Sequence, residues 1–253
     1  MTDLRSALGR PVILGFLALE MAAGAFIVLR RGGTSQESVG LVWLGLAVVG
    51  FLAWWSGRHR LAVERPDHVD RARSKLVAAT VGAIGIGCWT WGLAPAGGAV
   101  LVLAGCGAWL GLAVLGRGSG DRLPAQLLRD PRPFVPLLLL VAVPRALATG
   151  PGYGIGALLA LPSGIAQQLA LLLGLFAPLE AVLRRTDLAA VLAALAFGAL
   201  HVPMNLSQAG GDLLLAAANA VVFQASVGAV ACLGYVRHRA AVPLGVTHAL
   251  AIA

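Results

Sequence analysis

Among the ionisable side chains in the last third of a strongly apolar chain, four are of kinds that can act together in catalysis: Glu180, Arg184, His201 and His248. Glu180 and Arg184 are four residues apart, so a helix places them on one face, in the order that favours an ion pair. A carboxylate and two imidazoles that share one enclosed site can take a proton from a bound water, which is general-base catalysis. These residues therefore predict a water-activating site, provided that the fold brings them together.

Other interpretations of the same residues stay open. Glu180 and Arg184 can form a structural pair near a helix end, with the guanidinium reaching lipid headgroups. Each histidine can be a hydrogen-bonded packing residue. Two histidines and a glutamate can also hold zinc, which takes three protein ligands at catalytic sites, although the chain lacks an H-E-x-x-H motif. We expect no cofactor to be required, with a divalent metal such as zinc as the alternative.

The composition is typical of a membrane protein. The chain has 253 residues, of which 58% are hydrophobic and 12% are charged, and its mean hydropathy is +0.85. A soluble domain has a charged fraction of about 25%, so the polar residues here are too few to cover a water-facing surface. The formal net charge is +8, but the basic residues lie mostly in loops between apolar runs, where they orient spans and contact headgroups. We therefore expect the lipid bilayer, and not nucleic acid, as their partner.

Apolar runs predict an all-α, polytopic transmembrane bundle of eight or nine membrane segments. The runs lie at 12–29, 39–55, 76–93, 99–115, 134–149, 155–183, 188–202, 213–236 and 241–253. We expect Pro162 to break the long run, with a helix beginning at Ser163. Residues 1–133 then form an N-terminal scaffold of four spans, and residues 134–253 form the helical core that carries the polar site.

The basic loops predict the orientation of the chain. With a span between successive turns, the arginines near the N-terminus, at 58–75, at 117–132, at 184–185 and at 237–239 fall on one side of the membrane. The turns of the opposite side, such as GPGYG at 150–154, are nearly uncharged, with Arg30-Arg31 as the exception. Because basic loops stay in the cytoplasm, the N-terminus is expected there, in a protein of the cell membrane.

Three motifs resemble the CPBP intramembrane protease family, which includes the type II CAAX prenyl endopeptidases and bacteriocin-processing or immunity proteins. The motifs are APLEAVLR at 177–184, FGALH at 197–201 and PLGVTHAL at 243–250, with Phe223-Gln224 between the last two. The family pattern is two adjacent glutamates with an arginine four residues after the second, then Phe-x-x-x-His, then His-x-x-x-Asn or Asp. The resemblance matches Glu180 to the second glutamate, Arg184 to the arginine, and His201 and His248 to the two histidines.

The resemblance implies an endopeptidase that cleaves a membrane-associated peptide or lipidated protein. Glu180 acts as the base, Arg184 orients it, and His201 and His248 stabilise the oxyanion of the scissile carbonyl. The remaining site residues are expected to line the substrate cavity: Phe197, Asn205 and Gln224.

Two positions depart from the family pattern. Leu179 stands where the first glutamate belongs, and Ile252 stands where Asn or Asp belongs. In a simple hairpin that turns at Thr186, Glu180 and His201 also miss each other by about 12 Å along the helix axis. An alternative function is therefore a catalytically impaired relative that binds a peptide, a lipid or a partner protein, in immunity or secretion. A small transporter or lipid-handling protein unrelated to the family is the third interpretation.

Overall fold

The computed structural model describes residues 11–30 and 130–252, and these residues form helices without a strand. The helices are α1 (Pro11–Arg30), α2 (Val135–Thr149), α3 (Tyr153–Leu169), α4 (Ala177–Leu183), α5 (Thr186–Gln208), α6 (Leu213–Asn219), α7 (Ser226–His238) and α8 (Ala241–Ile252). Short 3₁₀ turns at Arg132–Phe134 and Gly150–Gly152 precede α2 and α3, and π-helical segments at Ala170–Phe176 and Ala220–Ala225 lead into α4 and α7. The all-α class predicted from the sequence is confirmed for this part of the chain.

Five helical stretches of the described residues are long and apolar enough to cross a membrane, which agrees with an integral membrane protein. They are Pro11–Arg30, Arg132–Leu161, Ser163–Glu180, Thr186–Leu206 and Leu213–His238, with Ala241–Ala251 as a shorter apolar helix. The stretch Arg132–Leu161 is interrupted at Gly150, whose φ of 75° lies in the left-handed region that glycine adopts without strain. The expected runs at 39–55, 76–93 and 99–115 lie outside the described residues.

The expected break at Pro162 is wrong. Helix α3 runs from Tyr153 to Leu169 through this position, and the departure from α-helical geometry comes later, in the π segment Ala170–Phe176. A proline inside a helix removes one backbone hydrogen bond, which packed apolar helices tolerate when their neighbours supply other partners. Pro144 in α2 and Pro203 in α5 are accommodated in the same way.

Helix contacts place the arginine turns together at one end of the bundle. Phe134, at the start of α2, packs its ring 5.0 Å from that of His238, at the end of α7, and α5 begins at this end after Arg184 and Arg185. At the other end, the Tyr153 hydroxyl donates to the Leu250 carbonyl (3.0 Å). We call these the arginine end (Arg184, Arg185, Arg237, Arg239) and the glycine end (Gly150, Gly210, Gly211).

Helix α1 packs against the C-terminal bundle. Phe16 belongs to a buried cluster with Ala194 of α5 and Ala229 of α7, and Ile27 belongs to another with Leu215 and Val222. Helix α1 therefore runs parallel to α5, and its last residue reaches the glycine end.

Two hydrogen bonds of the Asp212 carboxylate join α1 to α6 at the glycine end. Asp212 caps α6, because its Oδ1 accepts from the Leu215 amide (3.0 Å), and its Oδ2 accepts from Arg30 Nε (3.0 Å). The Leu215 hydrogen bond first, and the Arg30 guanidinium second, hold the pKa of Asp212 below its usual range. The folded chain therefore binds this proton less readily than the unfolded chain does.

Asp212→Ala is expected to lower the thermal melting temperature at neutral pH, since it removes both the cap and the ion pair. A carboxyl with a lowered folded pKa stabilises the fold above its unfolded pKa, about 3.9, and this contribution disappears as the pH falls through the lower folded value. The difference in melting temperature between wild type and variant should therefore shrink below about pH 4. A difference that stays constant into stronger acid would contradict the ionic origin of the effect.

Candidate functional site: a buried histidine centre

Helix α5 carries three of the predicted site residues on one face, at intervals of four. Phe197, His201 and Asn205 are 2%, 5% and 3% exposed. His201 Nδ1 lies 2.7 Å from the Phe197 carbonyl oxygen, and the ring centroids of the two residues are 4.7 Å apart. Because a carbonyl oxygen only accepts, Nδ1 must carry the proton, which leaves Nε2 as the lone-pair nitrogen of the neutral ring.

Helix α8 brings His248 to the same phenyl ring. The centroids of His248 and Phe197 are 5.8 Å apart, in an edge-to-face arrangement. His248 Nε2 lies 3.0 Å from Gln167 Oε1, and the Gln167 amide donates in turn to Ser163 Oγ (3.0 Å). With the amide oxygen accepting, His248 Nε2 is the donor and Nδ1 holds the lone pair. We call Gln167, Phe197, His201 and His248 the histidine centre.

One helical turn farther along α5, the Asn205 side-chain amide donates to Gln224 Oε1 (3.0 Å). Gln224 lies in the π segment Ala220–Ala225, and π turns inside α-helices are frequent at functional sites. The structure thus joins Asn205 and Gln224 in one pair, and it places that pair next to His201.

The structure does not bring Glu180 to the histidines. Glu180 Oε1 accepts from the Thr186 hydroxyl (2.8 Å), at the first residue of α5. His201 lies fifteen residues farther along the same helix, or about 22 Å at 1.5 Å per residue. Glu180 therefore lies beside the start of α5, and His201 lies at a different level of the bundle.

Arg184 does not orient Glu180 as the sequence predicted. Glu180 Oε2 accepts from Arg239 of the α7–α8 turn (3.0 Å), and Arg239 lies over the Tyr235 ring, 5.4 Å from its centroid. Arg184 ends α4 with φ of 54°, in the left-handed region, and its side chain is exposed. The helix ends one turn after Glu180, so the i,i+4 geometry that pairs side chains on a continuous helix is lost there.

The predicted site residues do not include Gln167 and Gln168, although both are polar residues inside an apolar run. The motif match assigned the paired-glutamate position to Leu179 and Glu180, but Leu179 packs against the hydrophobic core. The adjacent polar pair at the level of the histidines is Gln167-Gln168, 6% and 0% exposed. Two adjacent amides inside an apolar helix were the available signal, since buried polar side chains within a membrane span mark functional positions.

Several polar atoms of this region have no hydrogen-bond partner among the described residues. They are Gln168 Nε2, Gln168 Oε1 and His248 Nδ1. A buried polar group without a partner costs about 1–3 kcal/mol. Within the described part of the chain, Gln168 Nε2 is therefore a hydrogen-bond donor without a partner, and Gln168 Oε1 and His248 Nδ1 are acceptors without a partner. In apolar surroundings, a hydrogen bond from a ligand to these atoms is stronger than the same bond in water.

Within residues 11–30 and 130–252, no three His, Cys, Asp or Glu side chains are grouped so that they could hold a metal ion. The two histidines supply two nitrogens, and their polar neighbour Gln167 is an amide. Searches against protein-family models, curated proteins and solved structures find no match to this chain.

Proposed function

We propose that this chain is a catalytically impaired membrane protein of the CPBP type, in which the histidine centre binds the backbone of a membrane-associated peptide or lipidated protein. The observation that carries the proposal is the residue that contacts His248, which is the amide Gln167, followed in sequence by the buried amide Gln168, where two glutamates are absent. The orientation of the basic turns supports a cell-membrane location with the N-terminus in the cytoplasm.

Hydrolysis needs a group that takes a proton from water. A glutamine amide has no basic lone pair at ordinary pH, so Gln167 and Gln168 cannot supply the general base. Glu180 is engaged by Arg239 and Thr186 at the arginine end. Among the described residues, the groups that contact His201 and His248 therefore include no carboxylate.

Peptide binding uses the buried polar atoms that have no hydrogen-bond partner within the described residues, on Gln168 and His248. The Gln168 amide can donate to a peptide carbonyl and accept from a peptide N–H at once, and His248 Nδ1 can accept a second N–H. A peptide strand that enters the bilayer must satisfy its own backbone groups. Ligand and site therefore satisfy each other's hydrogen bonds in a place from which water is excluded.

The test is the affinity for a prenylated, fluorescein-labelled peptide, measured by fluorescence anisotropy with the full chain in detergent. Gln168→Leu is expected to weaken binding about tenfold, which corresponds to about 1.4 kcal/mol. Gln208→Leu is the matched control, because Gln208 is exposed at the end of α5, and it should bind as wild type does. Equal affinity of wild type and Gln168→Leu would contradict a binding role for Gln168 and, with it, the proposed peptide site.

An active endopeptidase is the second candidate, favoured by the two imidazoles on the single Phe197 ring. Cleavage of the same peptide, followed by mass spectrometry, separates the two functions. We expect no cleavage by wild type and a gain of cleavage in the double variant Gln167→Glu/Gln168→Glu, which supplies the missing carboxylates. Cleavage by wild type that His201→Ala abolishes would establish the second candidate and overturn the first.

A further inference from the structure

The carboxyl group of Glu20 in α1 is buried inside the bundle, where it contacts Ser226 and not the histidine centre. Glu20 is 2% exposed, and its Oε1 lies 2.6 Å from the hydroxyl oxygen of Ser226, the first residue of α7. Its Oε2 is buried and has no hydrogen-bond partner among the described residues. This glutamate belongs to none of the motifs that predicted the site.

The hydrogen bonds around Ser226 determine where a proton lies. Ser226 Oγ is 2.6 Å from Glu20 Oε1 and also 2.5 Å from the Val222 carbonyl oxygen. A hydroxyl has one proton to donate, whereas a carboxylate and a carbonyl both only accept. Both short contacts are satisfied when Glu20 is a carboxylic acid that donates to Ser226, and Ser226 donates to Val222.

Among the described residues, no charged group near Glu20 offers an alternative partner. The described elements that contact α1 are α5, α6, the π segment Ala220–Ala225 and the first turns of α7. The charged groups of α5 are Asp187 and His201, and those of α7 are Arg237 and His238 in its last turn, about 16 Å along the helix from Ser226. Asp187 pairs with Arg185 at the arginine end (3.1 Å), and Arg30 on α1 itself pairs with Asp212. Within the part of the chain that the structure describes, an ionised carboxylate at this place would lie in apolar surroundings without a cation beside it, which is strongly unfavourable.

We propose that Glu20, Ser226 and the Val222 carbonyl form an exchangeable proton-binding site inside the membrane. The bound ligand is a proton on the Glu20 carboxyl. Its release to water leaves a carboxylate that accepts the Ser226 hydroxyl proton, so the Val222 carbonyl loses its side-chain donor while the contact between Glu20 and Ser226 is kept. The site thus couples the Ser226–Val222 hydrogen bond, at the end of the π segment, to proton occupancy, and it does so independently of what the histidine centre binds.

Infrared spectroscopy of the full chain in lipid vesicles tests the proposal. Wild type is expected to show the C=O stretching band of a protonated carboxylic acid, and the band should shift downward after transfer to D₂O because the proton exchanges. Glu20→Gln should abolish the band, and its amide can still donate to Ser226, so the fold is preserved. Glu180→Gln is the matched control and should leave the band unchanged, since Glu180 is paired with Arg239.

Labelling with dicyclohexylcarbodiimide, which modifies protonated carboxyl groups within membranes, gives a second readout. The adduct is expected on Glu20 and not on Glu180. Ser226→Ala removes the acceptor of the acid proton, so it should move the infrared band to higher frequency. An infrared spectrum without the carboxylic-acid band, or a band that survives in Glu20→Gln, overturns the proposal whatever the labelling shows.

Discussion

Arg239→Gln is expected to lower the free energy of unfolding by about 3 kcal/mol, the scale on which removing one partner of a buried ion pair destabilises a protein. Glu180 is 6% exposed and the Arg239 side chain 16% exposed. Loss of the guanidinium leaves Glu180 with the Thr186 hydroxyl but without a cation. The pair joins α4, the start of α5 and the turn after α7, so the whole arginine end should loosen.

Arg184→Gln is the matched control. Both arginines follow the last residue of a helix with a left-handed backbone, φ 54° at Arg184 and 48° at Arg239, so the backbone strain of a glutamine is the same at the two sites. Arg184 is exposed, and its replacement should change the free energy of unfolding by no more than about 0.5 kcal/mol.

Unfolding titrations with sodium dodecyl sulfate, carried out on both variants in mixed micelles, measure these free energies. Comparing the losses of unfolding free energy in Arg184→Gln and Arg239→Gln distinguishes the Glu180–Arg184 pair predicted from the sequence from the Glu180–Arg239 pair found in the structure. A larger loss in Arg184→Gln than in Arg239→Gln would mean that Arg184 stabilises Glu180 after all.

Gly164→Ala is expected to destabilise the fold by about 2 kcal/mol, within the range for overpacking a close contact. A Cβ at this position would lie 2.5 Å from the Ala249 nitrogen and 2.7 Å from its Cα. Those are backbone atoms, which cannot move aside as a flexible side chain does, so α3 and α8 would have to separate. Gly245 faces Ile165 Cα in the same way, at 2.6 Å.

The separation should also disturb the histidine centre, because Gln167 and His248 lie on these two helices next to the contact. Gly154→Ala is the control in α3, since a Cβ there meets nothing within 4 Å. Its effect should be neutral, or stabilising by up to about 1 kcal/mol from helix propensity. Thermal melting and peptide affinity together check the prediction. Equal melting temperatures of the two variants would contradict a close contact at Gly164.

The helical class and the concentration of polar residues in the C-terminal half could be predicted because they follow from composition and local periodicity. The association of His201 with Phe197 is likewise local, since the two residues are one turn apart. The partner of Glu180 could not be predicted in this way, because Arg239 is distant in sequence and nearness along the chain favoured Arg184. Pairing across a bundle depends on how helices end and cross, and the composition of a single segment does not encode that.

The motif comparison lacked the same kind of information. It used the glutamate that was present, Glu180, whereas the structure places Gln167 against His248. Glu20 lies in the predicted N-terminal scaffold, and its partner Ser226 is so distant in sequence that no local pattern connects the two residues. In both cases the missing information is the level at which each side chain lies in the bundle.

The π segment Ala220–Ala225 is a wider helical turn that connects α6 to α7. A wide turn can migrate along a helix one residue at a time, and each residue that it passes swings by about 100° about the axis. One such step would rotate Gln224 away from Asn205 while the helix stayed hydrogen-bonded on both sides. Such a rotation would separate Asn205 from Gln224 through a change within one helix, without any hinge between domains.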